Sequence, residues 1–211
     1  DVIQVIPTED RSTVQALLNA RGKVDLVIPS GSANLIRTVV DESSVPTIET
    51  GAGVCHVYVD EYADLAKALP IVLNSKTHRP SVCNAAETLL IHEAVADKFL
   101  PVVLAALAES KVKLNVDKKV KEVADKLDIK TSIASDDNWH TEYNALEMNV
   151  GIVPTLLEAA DHIAKYGTKH TEAIVSENEE NANKFVALTD AAAVMVNAST
   201  RFTDGEQMGF G

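Results

Sequence analysis

The residues best placed to do chemistry lie in Thr77-His78-Arg79-Pro80-Ser81-Val82-Cys83-Asn84-Ala85-Ala86-Glu87. Cys83 there separates a polar, positively charged stretch from an apolar one. A thiolate beside a cation or at a helix N-terminus has its pKa lowered to about 3.5–7.5 and is a strong nucleophile near neutral pH. Arg79 would supply positive potential, and backbone N–H groups around Cys83 would hold first the thiolate and later an oxyanion. Spacing alone does not decide the matter, because a lone cysteine is more often a small buried hydrophobe. Cys55, inside an apolar run, fits that second description.

Arg79 and Arg201 are the candidates for binding an anionic substrate, since a guanidinium offers a planar fork to carboxylate or phosphate. Arg201 stands in Ser199-Thr200-Arg201-Phe202-Thr203-Asp204-Gly205, just past a predicted strand. The competing reading is that it only closes its own loop onto Asp204. Nineteen basic against 31 acidic residues give a net charge of −12, which argues against nucleic acid and is explained by acidic helix faces in water. The six histidines are scattered, and no Cys or His pair has zinc spacing, so no metal is expected. Two cysteines are too few for a disulfide framework. No apolar run reaches the roughly 18 residues of a membrane helix, and no export leader is visible. The expectation is a cytoplasmic protein with two free thiols and no membrane contact.

The elements that must carry these residues alternate. Strands are predicted at 2–6, 24–28, 45–48, 55–59, 88–91, 150–153, 173–176 and 193–196. Helices are predicted at 11–19, 33–40, 60–74, 94–110, near 155–166 and near 178–188. Residues 112–133 hold a strand, a charged helix over 118–127 and another short strand, and 135–144 reads as a polar loop. Strands alternating with helices imply an α/β fold, Rossmann-like, with a largely parallel sheet flanked by helices. Ligands in such sheets gather beyond the carboxyl ends of the strands. Ser30-Gly31-Ser32, Glu49-Thr50-Gly51 and residues 197–205 fall there. The opening Asp1-Val2-Ile3 reads as a strand under way and the closing Met208-Gly209-Phe210-Gly211 as an open loop, so both ends are expected to be cuts in a longer chain.

Residues 76–90, from Lys76 through Cys83 to Leu90, resemble the nucleophile segment of gamma-glutamyl phosphate reductases, in the aldehyde dehydrogenase superfamily. Ile48-Glu49-Thr50-Gly51 with Cys55-His56-Val57-Tyr58-Val59-Asp60 resembles the segment before it. His170-Thr171-Glu172-Ala173-Ile174-Val175 and residues 197–205 resemble two later ones, in the family's order. Two departures stand out: Ser30 where the family more often has Arg before Gly31, and Glu206-Gln207-Met208 where Gly-Glu-Phe is common.

The resemblance implies an aldehyde dehydrogenase-like catalytic domain over residues 50–211, preceded by the tail of a cofactor-binding domain over 1–49. It implies NADPH-dependent reduction of gamma-glutamyl 5-phosphate to glutamate 5-semialdehyde and phosphate, in proline biosynthesis. Cys83 would be the catalytic nucleophile, forming a thioester, with Arg79 and Arg201 binding the substrate. Ser30, Gly31, Ser32, Glu49 and Glu142 would stand on the cofactor side. Glu142 matches the superfamily's ribose-binding glutamate, and Glu49 lies where hydrolytic relatives keep a general base. A homo-oligomer and association with glutamate 5-kinase are further implications. The alternatives are a hydrolytic or acyl-transferring aldehyde dehydrogenase, or an isolated domain that is not competent alone.

Overall fold

Apolar β-branched runs become strands only where neighbours complete their hydrogen-bond ladder, and the two parts of this chain differ on that point. The computed structural model describes residues 2–10, 12–31, 33–49 and 51–209. Ser32 of the predicted cofactor turn therefore lies outside the described residues, as do Asp1, Arg11, Thr50 and the closing Phe210 and Gly211. The chain divides into two compact units, residues 1–52 and 53–211.

In the first unit, helices α1 (Ser12–Leu18) and α2 (Ala33–Glu42) form. The Asp10 carboxylate accepts from the Ser12 amide at 3.0 Å and leads into α1, and those hydrogen bonds from Ser12 lower its pKa. The three strands expected here do not form among the described residues. Residues 2–10 are irregular, and 24–28 and 45–48 are reduced to isolated parallel bridges, Val27 to Thr47 and, locally, Arg21 to Val24. Pro29 and Pro46 flank the bridge from Val27 to Thr47, and a proline has no N–H to extend a ladder.

The second unit is one seven-stranded sheet in the order β4-β3-β5-β2-β1-β6-β7. Its strands are β1 (Cys55–Val59), β2 (Ala86–His92), β3 (Lys113–Val116), β4 (Thr131–Ile133), β5 (Glu147–Val153), β6 (Thr171–Val175) and β7 (Ala193–Val196). All six pairings are parallel. Central β1 and β2 are buried at every position, as expected of strands covered on both faces. One face packs Val57, Leu89, Val150 and Ala173 under α3 (Leu65–Thr77), α4 (Glu93–Glu109) and α5 (Lys118–Lys126). The other packs Tyr58, Leu90 and Ile174 under α7 (Leu156–Tyr166) and α8 (Glu179–Leu188).

Two local differences from the sequence reading have clear causes. Helix α3 starts at Leu65 rather than residue 60, because Asp60 is buried and accepts from Tyr58, Ser176 and Asn181, while Asp64 caps the helix. The polar run 135–144 contains one helical turn, α6 (Asp136–Trp139), closed by a reciprocal capping box between Ser135 and Asn138.

In a parallel sheet every segment that enters a strand lies on one edge. Residues 53–54 enter β1, the Cys83 turn enters β2, Glu142 precedes β5 and His170 precedes β6, so all gather at the amino edge. The Cys83 turn thus lies at the edge opposite the carboxyl ends, where residues 197–205 were expected and do follow β7. The segment after β7 does leave from the carboxyl end, but it runs back. Thr203 reaches Thr171, the first residue of β6, with 3.0 Å between their hydroxyl oxygens.

Candidate active site

Cys83 is exposed, on a turn between α3 and β2. Two contacts bear on the backbone beneath it, from Gly53, itself tied down, and from Cys55. Gly53 lies so close that a Cβ built there would sit 1.6 Å from the Cys83 carbonyl oxygen and 2.7 Å from its Cα. The Gly53 amide donates to Glu142 Oε1 at 2.9 Å, and Val54 donates to Thr168 Oγ1 at 3.0 Å. From β1, the Cys55 thiol donates to the Cys83 carbonyl at 3.2 Å. Burial, reinforced by the Glu172 charge, pushes the Cys55 thiol well up, so it stays protonated and able to donate. Cys55 is thus a buried support and Cys83 the accessible thiol. The Cys83 and Asn84 amides donate to no protein group among the described residues, while Ala85 closes the turn onto Val82. Those two unused donors beside an exposed thiol are what an acyl-transfer site needs for a developing oxyanion.

Arg79 and Arg201 line one cleft of about 730 Å³, together with His78, Asn74, Asn197 and Ser199. Arg79 is exposed at its mouth and Arg201 is half-buried. The Arg201 loop is tied down at three points: Ser75 Oγ donates to Ser199 Oγ at 3.0 Å, Thr203 meets Thr171, and Asn84 grips the loop from beside Cys83. Arg201 Nη1 donates to Asn84 Oδ1, and Arg201 Nε is buried without a partner. Among the described residues Arg201 forms no ion pair; Asp204 instead accepts from the Glu206 amide at 3.0 Å. Arg79 and Arg201 thus meet in the cleft with no ion-pair partner among the described residues, although the carboxylates of Asp204 and Glu206 line it too.

The cofactor-side candidates divide between the units. Ser30, Gly31 and Glu49 belong to the first and are exposed; Glu142 belongs to the second and is half-buried. Gly31 has φ +150°, and a Cβ there would meet Leu35 Cδ2 at 2.9 Å, so the turn into α2 is open to glycine alone. A glycine turn opening a helix suits a phosphate group, and Glu142 spends only Oε1 on Gly53, leaving an oxygen for a hydroxyl.

Several residues around the site escaped the sequence reading. Lys76 and Glu87, at either end of the nucleophile motif, form a fully buried ion pair at 2.6 Å. Burial lowers Lys76 and raises Glu87 to about 7, against the pull of each on the other. His56 and Glu172, adjacent in register on β1 and β6, pair at 2.9 Å, also fully buried. His170 Nδ1 lies 4.0 Å from Cys55 Sγ, and burial lowers its pKa. Trp139, expected either to cover the site or to pack down, packs edge-on against His162 with ring centroids 5.0 Å apart. Among the described residues no cluster of His, Cys, Asp or Glu could hold a metal, and no helix is long and apolar enough to cross a membrane.

The family model of the aldehyde dehydrogenase family matches residues 1–124. A gamma-glutamyl phosphate reductase of Thermobifida fusca is 53% identical over 211 residues, covering 100% of this chain and 50% of that protein. One from Moorella thermoacetica is 52% identical over 209 residues, covering 99% and 49%. The crystal structure of gamma-glutamyl phosphate reductase from Thermotoga maritima superposes with a TM-score of 0.90 at 48% identity, over 97% of this chain and 49% of that one. An acetylating aldehyde dehydrogenase from Geobacillus thermoglucosidasius, 18% identical with a TM-score of 0.73 over 94% of this chain and 51% of that one, shares the fold. The chain spans about half the length of the curated relatives it matches.

Proposed function

The chain belongs to the aldehyde dehydrogenase family, and we propose that the protein it comes from reduces gamma-glutamyl 5-phosphate to glutamate 5-semialdehyde and phosphate through a thioester on Cys83. The observation that carries this reading is the exposed Cys83 thiol, flanked by two unused amides and followed by an asparagine that holds Arg201. As thiolate, Cys83 attacks the acyl carbon and the carbon–oxygen bond to phosphate breaks. The Cys83 and Asn84 amides hold the oxyanion formed in that step and again when the thioester is reduced. Arg201 and Arg79 bind the anionic groups of the substrate in their cleft. NADPH, when bound, supplies the hydride that takes the thioester to the aldehyde level. Ser30 and Gly31 would hold its phosphate side and Glu142 a ribose hydroxyl. Collapse of the thiohemiacetal returns the electron pair to Cys83 sulfur and frees the aldehyde.

The same reading places the enzyme in proline biosynthesis and in the cytoplasm, as a homo-oligomer associating with glutamate 5-kinase. It makes residues 1–49 the tail of a cofactor-binding domain and 50–211 the catalytic domain. The test is phosphate-dependent oxidation of glutamate 5-semialdehyde by the full-length enzyme. Wild type should require phosphate, C83S should be inactive with an unchanged melting curve, and iodoacetamide should label Cys83 well before Cys55. Phosphate-independent oxidation would assign the chain to a hydrolytic aldehyde dehydrogenase, and an active C83S would refute the thioester.

A further inference from the structure

Asn84 follows Cys83 directly and is 4% exposed, an unusual place for an amide side chain unless both its ends are used. Both are. Its Oδ1 accepts from Arg201 Nη1, and its Nδ2 donates to the Thr203 carbonyl at 2.8 Å. One contact needs an acceptor and the other a donor, so the amide orientation is fixed, and neither aspartate nor leucine could make both bonds. Arg201 and Thr203 lie 117 and 119 positions further along the chain. Ser75 holds Ser199, and Thr171 holds Thr203, but neither bond involves the guanidinium; among the described residues Asn84 alone hydrogen-bonds it.

We infer that Asn84 is a positioning residue for substrate binding, setting the distance and direction of the Arg201 guanidinium from the Cys83 sulfur through its two hydrogen bonds. This rests on the reading above, in which Cys83 is acylated and Arg201 binds the substrate anion. Because the Asn84 backbone continues directly from Cys83, the side chain is a rigid gauge between nucleophile and cation. A substrate whose anionic group is seated on Arg201 then has its acyl carbon brought to Cys83 without a further search. Using Nη1 for Asn84 also leaves Nη2 to meet the substrate in a fixed direction, whereas a free guanidinium would have to be ordered on each binding event.

The experiment is a double-mutant cycle on the full-length enzyme, with N84A, R201A and the pair, read as KM and kcat in phosphate-dependent oxidation of glutamate 5-semialdehyde. N84A should raise KM about tenfold, the equivalent of one hydrogen bond to a charged group, with kcat within about threefold. In the R201A background the same change should add less than about twofold, because the gauge then has nothing to set. The rate of Cys83 alkylation by iodoacetamide should stay unchanged in N84A, which a general collapse of the turn would not allow. N84D occupies the same space, so it serves if N84A fails to fold. Its carboxylate would neutralise Arg201, and KM should rise at least tenfold. Independent, multiplicative effects of N84A and R201A, or an N84D enzyme with normal KM, would overturn the inference. A silent R201A would instead remove the assignment of Arg201 to the substrate, and this inference with it.

Discussion

Gly53→Ala adds one methyl group at the point where two chain segments touch. The new Cβ would lie 1.6 Å from the Cys83 carbonyl oxygen, 2.4 Å from its carbon and 2.7 Å from its Cα, all backbone atoms with no rotamer to escape into. Non-bonded carbon and oxygen do not approach closer than about 3 Å, so the segments must part by roughly 1.4 Å. Three bonds resist that movement: Gly53 to Glu142, Val54 to Thr168 and the Cys55 thiol to the Cys83 carbonyl. A misplacement of about 1 Å in a reacting group can cost on the order of a hundredfold in rate, and overpacking a close contact costs about 1–3 kcal/mol in stability. The full-length G53A enzyme should therefore lose about two orders of magnitude in kcat/KM and melt about 2–12 °C lower. Steady-state kinetics, a melting curve and the Cys83 alkylation rate on one preparation read all three consequences. Gly51→Ala is the control, because a Cβ there meets nothing within 4 Å, and it should behave as wild type. A G53A enzyme with wild-type kinetics and melting temperature would show that the Gly53–Cys83 contact does not position the nucleophile.

Arg201→Ala in the full-length enzyme should lower kcat/KM by about ten- to a hundredfold, given about 1.5–3 kcal/mol for a charge-assisted hydrogen bond, with Arg201→Lys recovering only part; unchanged kinetics with a lowered Tm would leave Arg201 a loop-closing residue. Lys76→Met strands the Glu87 carboxylate at 0% exposure and should cost about 3–5 kcal/mol in urea denaturation near neutral pH, much of it regained in the Lys76→Met/Glu87→Gln pair; a double variant no more stable than the single would mean the pair itself is not the source. His162 is held down to about 3, chiefly by burial and then by the neighbouring His56, whereas in the unfolded chain it titrates near 6.5. The unfolded state thus binds the extra proton first, so this contribution is whole above about pH 6.5 and falls by at most about 1.4 kcal/mol per pH unit toward pH 3. His162→Phe should flatten that part of the stability curve, and an unchanged acid limb would assign the loss to the carboxylates.

What the sequence made legible, and what it hid, follows from how local each cause is. Strand β1 and helix α4 read correctly because burial on both faces of a strand, or along one helical stripe, leaves an unbroken signature in adjacent residues. Residues 24–28 and 45–48 carry the same β-branched signature, yet a strand also needs partners, and a run edged by proline finds only isolated bridges. The place of the Cys83 turn in the sheet was hidden for a related reason. A strand-end rule assigns ligands to the edge where strands finish, but the proposed nucleophile lies where a strand begins, and no local pattern says which connection carries the chemistry. The motif around Cys83 was legible because it is contiguous. Its supports were not, because each couples residues distant in sequence: Gly53 to Cys83, Cys55 to the Cys83 carbonyl, Lys76 across to Glu87, Asn84 to Arg201. Glycine is the sharpest case. Gly51 and Gly53 look alike in the sequence, yet one faces open space and the other is pressed against the peptide that carries the thiol. An exposed thiol held from beneath by a glycine contact, a buried neutral thiol and an asparagine can be reached by substrate without being able to shift. That combination is what a nucleophile reacting at a fixed acyl carbon requires.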